Sequence, residues 1–532
     1  MNGGNRFGNA VGAMRENKWI VAVTVMLPTL IEIIDISVAN VSLDHIRGSL
    51  SAGIDEAGWV LTSYLVSNAI IIPMTGWFAR SFGRKRYLLF SIFLFTAASF
   101  LCGSSTSLGM LVFFRVLQGI GGGALQPLSQ AILLESFPPK EHGVAMAIFG
   151  IGIMFGPIMG PLMGGYITDT LSWRWIFYVN LPIGLLAVFM VTLFIHDPHY
   201  LKRTEKVKVD LWGIALLTVG IGALQIVLDK GQREDWFQSD FILALSAVAV
   251  LALALFVIVE LYIAEHPIVD LRAFRNVSFS TGNVVMFIAF FNLLGSIVLL
   301  PLYAQLLLGY TAFLAGLVLS PGGVATLLVM PIVGKLIGKQ NPKYLLTFGI
   351  IVCAFSTYAM SRFSLGADFS ALMWPRIYLG IGMGCLFIPL TTLTLSSIPR
   401  PQMGNATSIY NLLRNLGGSF GVAFATTMFV HRGQLHQSHL AEHLTRFDRT
   451  FTTAVEWGKA FLARRGVPEI AAEPTAIKAI YAQAVRQATA LGFNDAFFVL
   501  SILMACVLPL VLLLRRPAHQ GGPPGAGGDA PV

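Results

Sequence analysis

The stretch Leu30–Asn40, LIEIIDISVAN, sets Glu32 and Asp35 inside an apolar run that extends from about Trp19 to Val41. An acid at the centre of a lipid-spanning helix costs about 2.5–3.5 kcal/mol on insertion scales, so an acid kept there suggests a function. Residues i and i+3 share a helix face, which predicts that the two acids act together. Carboxyl groups removed from water and set beside one another can exchange a proton near neutral pH, the chemistry of a proton carrier. The bland alternative for each is a hydrogen-bonded structural acid. Arg115 stands about five residues into a later apolar run. It either pairs with a polar group on another span or snorkels to the interface. Arg376 occupies the matching place in a further run. Asn292, Gln126, Asn411 and Arg414 are candidates for lining a path through the membrane, although each alone is equally a helix–helix hydrogen bond.

Long apolar helices must position these residues. Of 532 residues, 55% are hydrophobic and only 12% are charged; soluble domains carry about a quarter. Fourteen apolar runs of spanning length follow one another, at about 18–42, 58–79, 87–106, 109–134, 144–166, 175–196, 210–229, 241–263, 278–300, 312–336, 344–363, 371–397, 403–430 and 494–514. The chain therefore reads as an all-α membrane protein. The first run is a full span and not a cleavable signal.

The net charge of +9 reports topology and not nucleic-acid binding. With the N-terminus inside, the inner loops and termini hold 20 of the 36 Lys and Arg. The short outer loops hold five: Arg47, Arg174, Lys230, Arg233 and Arg362. This bias predicts both termini in the cytoplasm. Cys102, Cys353, Cys385 and Cys506 fall within spans, so no structural disulfide is expected. There is no phosphate-binding loop of the GxxxxGK[ST] kind to take ATP. His436, His439 and His443 share a helical spacing, but few acids and no cysteine accompany them, so no metal site is expected.

The chain repeats itself. RVLQGIGGGALQPL (Arg115–Leu128) aligns with RIYLGIGMGCLFIPL (Arg376–Leu390) at an offset of 261 that becomes 262. The same offset brings Gly156 onto Gly417 and Gly160 onto Gly421, and Asn292 lies 257 residues after Asp35. Paired bundles of this kind are a transporter plan. The expected organisation is an N-terminal six-helix bundle over 14–198 and two extra helices with their linker over 205–265. A C-terminal six-helix bundle follows over 277–516. A long outer loop, 431–493, is spaced for short amphipathic helices, and the Pro/Gly-rich tail 517–532 is expected to be disordered.

Two glycine motifs look conformational. Gly152, Gly156, Gly160 and Gly164 recur every four residues, which lets another helix approach closely. Pro157 in the same run bends the helix and lacks a backbone donor. GWFARSFGRKR (Gly76–Arg86) is a short basic turn with Gly76, Gly83 and Arg84, suited to neighbouring helix ends and anionic headgroups.

Together these residues resemble the major facilitator superfamily, and within it the fourteen-span drug:proton antiporter branch of EmrB/QacA type, from about 17 to 515. GWFARSFGRKR is similar to the superfamily's loop 2–3 signature but has Arg80 where the general pattern has Asp. RVLQGIGGGA resembles the span-4 motif, with Arg115 as its coupling arginine. GIMFGPIMGPLMGG resembles the antiporter motif. DISVANVSL resembles the first-span motif, with Asp35 as its acid, and WRWIFYVNLP (Trp173–Pro182) is typical of the branch. Glu32 lies outside these motifs. The resemblance implies a major facilitator fold of two six-helix bundles plus two extra central helices, 14 spans in all. It implies export of small hydrophobic or amphipathic drugs against proton entry in a bacterial inner membrane, with Asp35 as the acid and Arg115 linked to coupling; Glu32, by its place one turn from Asp35 and not by the resemblance, is expected to assist. No cofactor beyond the coupling proton is implied. A periplasmic adaptor and an outer-membrane channel are the expected partners, with membrane lipids. The rival readings are a dedicated exporter of one endogenous metabolite, lipid or siderophore, an importer, and a non-transporting assembly subunit or membrane enzyme.

Overall fold

A computed structural model describes residues 17–197, 210–337 and 339–514. Of the 20 basic residues assigned to the inner side, Arg6, Arg15, Lys202, Arg203, Lys206, Lys208, Arg515 and Arg516 lie outside the described residues, as do the tail 517–532 and the Pro157 side chain. The long helices are α1 (Lys18–Val41), α2 (Ile54–Phe82), α3 (Arg84–Gly103), α4 (Leu108–Gly122), α5 (Leu125–Ser136), α6 (His142–Thr170), α7 (Asn180–Phe194), α8 (Leu211–Lys230) and α9 (Asp240–Ile258). They continue with α10 (Val277–Leu308), α11 (Ala312–Leu336), α12 (Pro342–Met360), α13 (Phe369–Leu395), α14 (Met403–Glu442), α15 (Arg449–Arg464) and α16 (Glu469–Cys506).

Among the described residues, twelve segments are long and apolar enough to cross a membrane. α6 and α14 coincide with the two remaining expected spans. Several spans begin at side-chain caps: Asn17 accepts from the Trp19 amide, Ser107 from Met110, Asn276 from Phe279 and Thr311 from Leu314. Such caps satisfy amides that lipid cannot. The fourth expected span is two helices, broken at Gly123 and Ala124. The break follows a glycine run pressed against backbone: a Cβ on Gly121 would meet the Phe95 amide nitrogen at 2.6 Å.

α1 to α7 pack on one another, and so do α10 to α14 with α16, while α8 and α9 pair. α9 turns large apolar side chains outward, including Leu243, Val250, Leu251 and Leu255, as a lipid-facing helix does. α6 meets α11 and α13, and α14 meets α2 and α5, joining the two groups of helices.

The segment 431–493 differs from the expected loop of short helices. α14 runs on to Glu442 and α16 starts at Glu469, so helices from two spans continue through it, with α15 between them. At about 1.5 Å per residue, the 40-residue α14 is roughly twice as long as a bilayer core is thick. The helices stay together because their contacts do not stop: Phe429 stacks on Phe493 with ring centroids 4.0 Å apart. Arg432 and His436 then both reach Asp495, at 2.6 and 2.8 Å.

Candidate functional site

Asp35 is buried within the first group of helices. Its Oδ2 accepts from Nη1 of Arg115 at 2.6 Å. Its Oδ1 accepts from the side-chain amides of Gln118 and Asn180, each at 2.8 Å. Ser99 Oγ in turn accepts from both amides. Arg115 spends its Nε on the Val60 carbonyl at 3.0 Å and lies over the Tyr64 ring, 4.3 Å from its centroid. Five helices therefore converge on one carboxylate, with α1 supplying Asp35, α2 Val60 and Tyr64, α3 Ser99, α4 Arg115 and Gln118, and α7 Asn180. The pairing reading of Arg115 holds in this geometry; the guanidinium does not snorkel, since its side chain is 1% exposed.

Glu32 does not join that network. It shares a face with Asp35 only in part, because i and i+3 differ by about 60° around a helix of 3.6 residues per turn. Its Oε1 accepts from Asn68 of α2 at 3.1 Å, while Oε2 has no hydrogen-bond partner. Gln126 of α5 and Arg414 of α14 stand beside it. Arg414 donates to Gln126 through Nη2, keeps Nη1 without a partner, and lies over Phe290. One turn along, Asn411 donates to Gln130 at 2.6 Å. Thus Glu32, Gln126, Asn411 and Arg414 gather where the two groups of helices meet.

Asn292 lies elsewhere than on that path. It is buried within the second group and donates to the Leu500 carbonyl at 3.0 Å and to Thr357 at 3.4 Å. It occupies the repeat position of Asp35, bonded to α12 and α16 where Asp35 is bonded to α4 and α7. The repeat of the arginine holds as well, but Arg376 finds only Ser296, at 3.4 Å, and its Nε is unpartnered. Among the described residues, Arg376 has no acid partner to match the pair that Arg115 makes with Asp35.

The glycine motifs are close crossings. Along α6, Gly152 faces Met26, Gly156 faces Ile33, Gly160 faces Ser37 and Gly164 faces Val38, all on α1. Gly76 serves the contact between groups: a Cβ there would lie 2.8 Å from the backbone nitrogen and Cα of Asn405 on α14. Gly143 and Gly334 make a similar crossing of α6 with α11. Gly83 has φ of +88°, a left-handed conformation open to glycine. Arg84 makes two hydrogen bonds to Glu135, at 2.7 and 3.0 Å, and the Lys85 amide donates to Asp197 at 2.8 Å.

Sequence reasoning singled out neither Asn180, Ser99, Gln130, Glu135 nor Asp197. Asn180 had a signal, since it sits within WRWIFYVNLP; the others belong to no motif that marks them. The helical histidines do not gather: His436 pairs with Asp495. Among the described residues no three His, Cys, Asp or Glu are grouped to hold a metal.

Two packed groups of membrane-length helices, with a charge pair sealed in one and a polar cluster between them, define a multi-pass helical membrane protein, and its family places it among transporters. The chain belongs to the Major Facilitator Superfamily, whose profile matches residues 25–422. It is 37% identical to the multidrug export protein EmrB of Escherichia coli over 510 residues, 96% of this chain and 97% of that protein. It is 34% identical to the fatty acid resistance protein FarB of Neisseria gonorrhoeae, over 94% of this chain and 97% of that one. Among solved structures, the human organic anion transporter TETRAN superposes with a TM-score of 0.60 at 12% identity, covering 93% of this chain and 99% of that one. That last likeness concerns the fold.

Proposed function

We propose that the protein is a proton-driven exporter of hydrophobic and amphipathic drugs, working by alternating access in a bacterial inner membrane. The observation that carries this reading is the sealed Asp35–Arg115 pair in a chain that aligns end to end with a multidrug exporter. The 14–198 and 277–516 halves rock against each other, with both termini in the cytoplasm and the 205–265 helices beside them. Protonation of Asp35 removes the charge that holds Arg115, Gln118 and Asn180. α1 is then free to shift against α4 and α7. Glu32 rides on the same helix and faces Gln126 and Arg414, so a shift that starts at Asp35 is felt where the halves meet. The contacts at Gly76–Asn405 and Gly143–Gly334 close the end that the basic loops assign to the cytoplasm. In that state a drug leaves outward and Asp35 takes a proton from outside; reopening inward returns the proton. The extension formed by α14, α15 and α16 is where a periplasmic adaptor and, through it, an outer-membrane channel engage.

The test is drug transport by proteoliposomes under an imposed pH gradient. Asp35→Asn is expected to abolish drug-stimulated proton release while drug binding persists. Fully coupled transport by this variant would refute the assignment. A second reading is a dedicated exporter of anionic amphiphiles, favoured by the unpartnered Nη1 of Arg414 and by the relative named for fatty acid resistance. Competition between a long-chain fatty acid and a cationic dye separates the two.

A further inference from the structure

The two extra helices carry an acid pair that the export mechanism does not use. Asp210 caps α8: its Oδ1 accepts from the Gly213 amide at 2.9 Å, and its Oδ2 is buried without a partner. Glu260 lies in the turn Val259–Ile263 that ends α9, a π-helix closed by the Ala264 amide on the Val259 carbonyl at 2.8 Å. Such turns concentrate at functional sites. Glu260 is 1% exposed, and neither of its carboxylate oxygens has a hydrogen-bond partner. The amides of Ile268 and Val269 lie toward it without meeting hydrogen-bond geometry. A Cβ on Gly213 would sit 2.6 Å from Asp210 Oδ2 and 2.8 Å from Glu260 Oε1, so the two oxygens converge on one spot that only glycine leaves open. A cavity of about 440 Å³ opens beside Asp210 and is lined also by Val259, Ile263, Glu265 and His266.

We propose that Asp210 and Glu260 form a second proton-holding site, separate from Asp35, which shares one proton between two carboxylates. A metal ion fits less well, because no third His, Cys, Asp or Glu ligand joins the described pair. The charges acting on Glu260 are Asp210 from the start of α8 and Asp270 from the turn that follows α9, with Glu265 and His266 on the linking segment; Arg80 of α2 acts on Asp270 in turn. Asp270 is also what α14 grips. Its amide donates to Asn405 Oδ1 and its carbonyl accepts from Asn405 Nδ2, both at 3.0 Å. Asn405 is the residue against which Gly76 packs. The charge on the acid pair therefore bears on closure at that end. The proton site stands independently of the export reading; its effect on closure rests on it.

The test is infrared titration of the carboxyl band of the purified full chain in lipid nanodiscs. The wild type is expected to show a protonated-carboxyl band that titrates with pH and persists in Asp35→Asn. Glu260→Gln should remove that titration by deleting the acid, and Asp210→Asn should move it to lower pH by deleting the neighbouring negative charge. Thermal unfolding checks each variant, and either folded variant suffices. An unchanged band in a folded variant overturns the site, and a titration that moves with added sodium or magnesium makes it a cation site instead. In proteoliposomes the same variants should move the pH midpoint of transport by about one pH unit. An unmoved midpoint with the band lost leaves the proton site and refutes its link to closure.

Discussion

Oδ2 of Asp35 lies 2.6 Å from Nη1 of Arg115, and each side chain is only 1% exposed. The pair joins α1 to α4 across the interior of one group of helices. Two further donors saturate the carboxylate, so its charge is held by geometry that water does not share. Any event that removes that charge leaves a guanidinium and two amides to find new partners.

Removing one member of a buried ion pair costs about 3–5 kcal/mol, because the other charge is left uncompensated. Arg115→Ala should lower the thermal unfolding midpoint sharply. The double variant Asp35→Asn, Arg115→Gln should be clearly less destabilised than the two single changes taken together predict. Additive losses in a thermal melt would show that the pair is not a unit.

Glu32→Gln keeps the acceptor that Asn68 uses and deletes only charge. Transport of cationic drugs should fall about tenfold, the equivalent of one lost charge contact of about 1.4 kcal/mol, with neutral drugs little affected. Equal losses for both classes would assign Glu32 to proton coupling.

Gly76→Leu places a side chain where the Asn405 backbone stands 2.8 Å from an ideal Cβ. The inner end should fail to close. A cysteine reporter at that end should label faster than in the wild type, with expression unchanged. Unaltered labelling would mean that this crossing is not part of the closure.

Arg84 and Glu135 tie the start of α3 to the end of α5. Arg84→Glu alone should abolish transport, and adding Glu135→Arg should restore part of it. Failure of the exchange while both variants fold would place the function of Arg84 in contacts other than Glu135.

Asp448 caps α15, and the Phe451 and Thr450 amides hold its carboxyl below the usual range. The folded state lowers this pKa, so the cap stabilises above the ordinary Asp range and is lost as pH falls through the lowered value. Helicity of the extension should therefore decline only in strong acid, and Asp448→Ala should remove that acid-dependent component of the circular dichroism.

The sequence by itself determined the membrane class, the positions of the spans, the internal repeat and the residues most costly to bury, Asp35 and Arg115. These follow from composition and from spacing along single helices, where the desolvation of each residue is a local quantity. Tertiary structure alone decided which polar residues meet. It divided Glu32 from Asp35, sending one to the junction of the two groups and the other to Arg115, because 60° around a helix is enough to change neighbours. It moved Asn292 from the expected path into the interior, and it extended α14 and α16 through a segment that reads as a loop. It also joined Asp210 to Glu260, 50 residues apart in sequence, across the one glycine that leaves room for both. Partners of this kind depend on how helices cross, and no spacing within one helix records that.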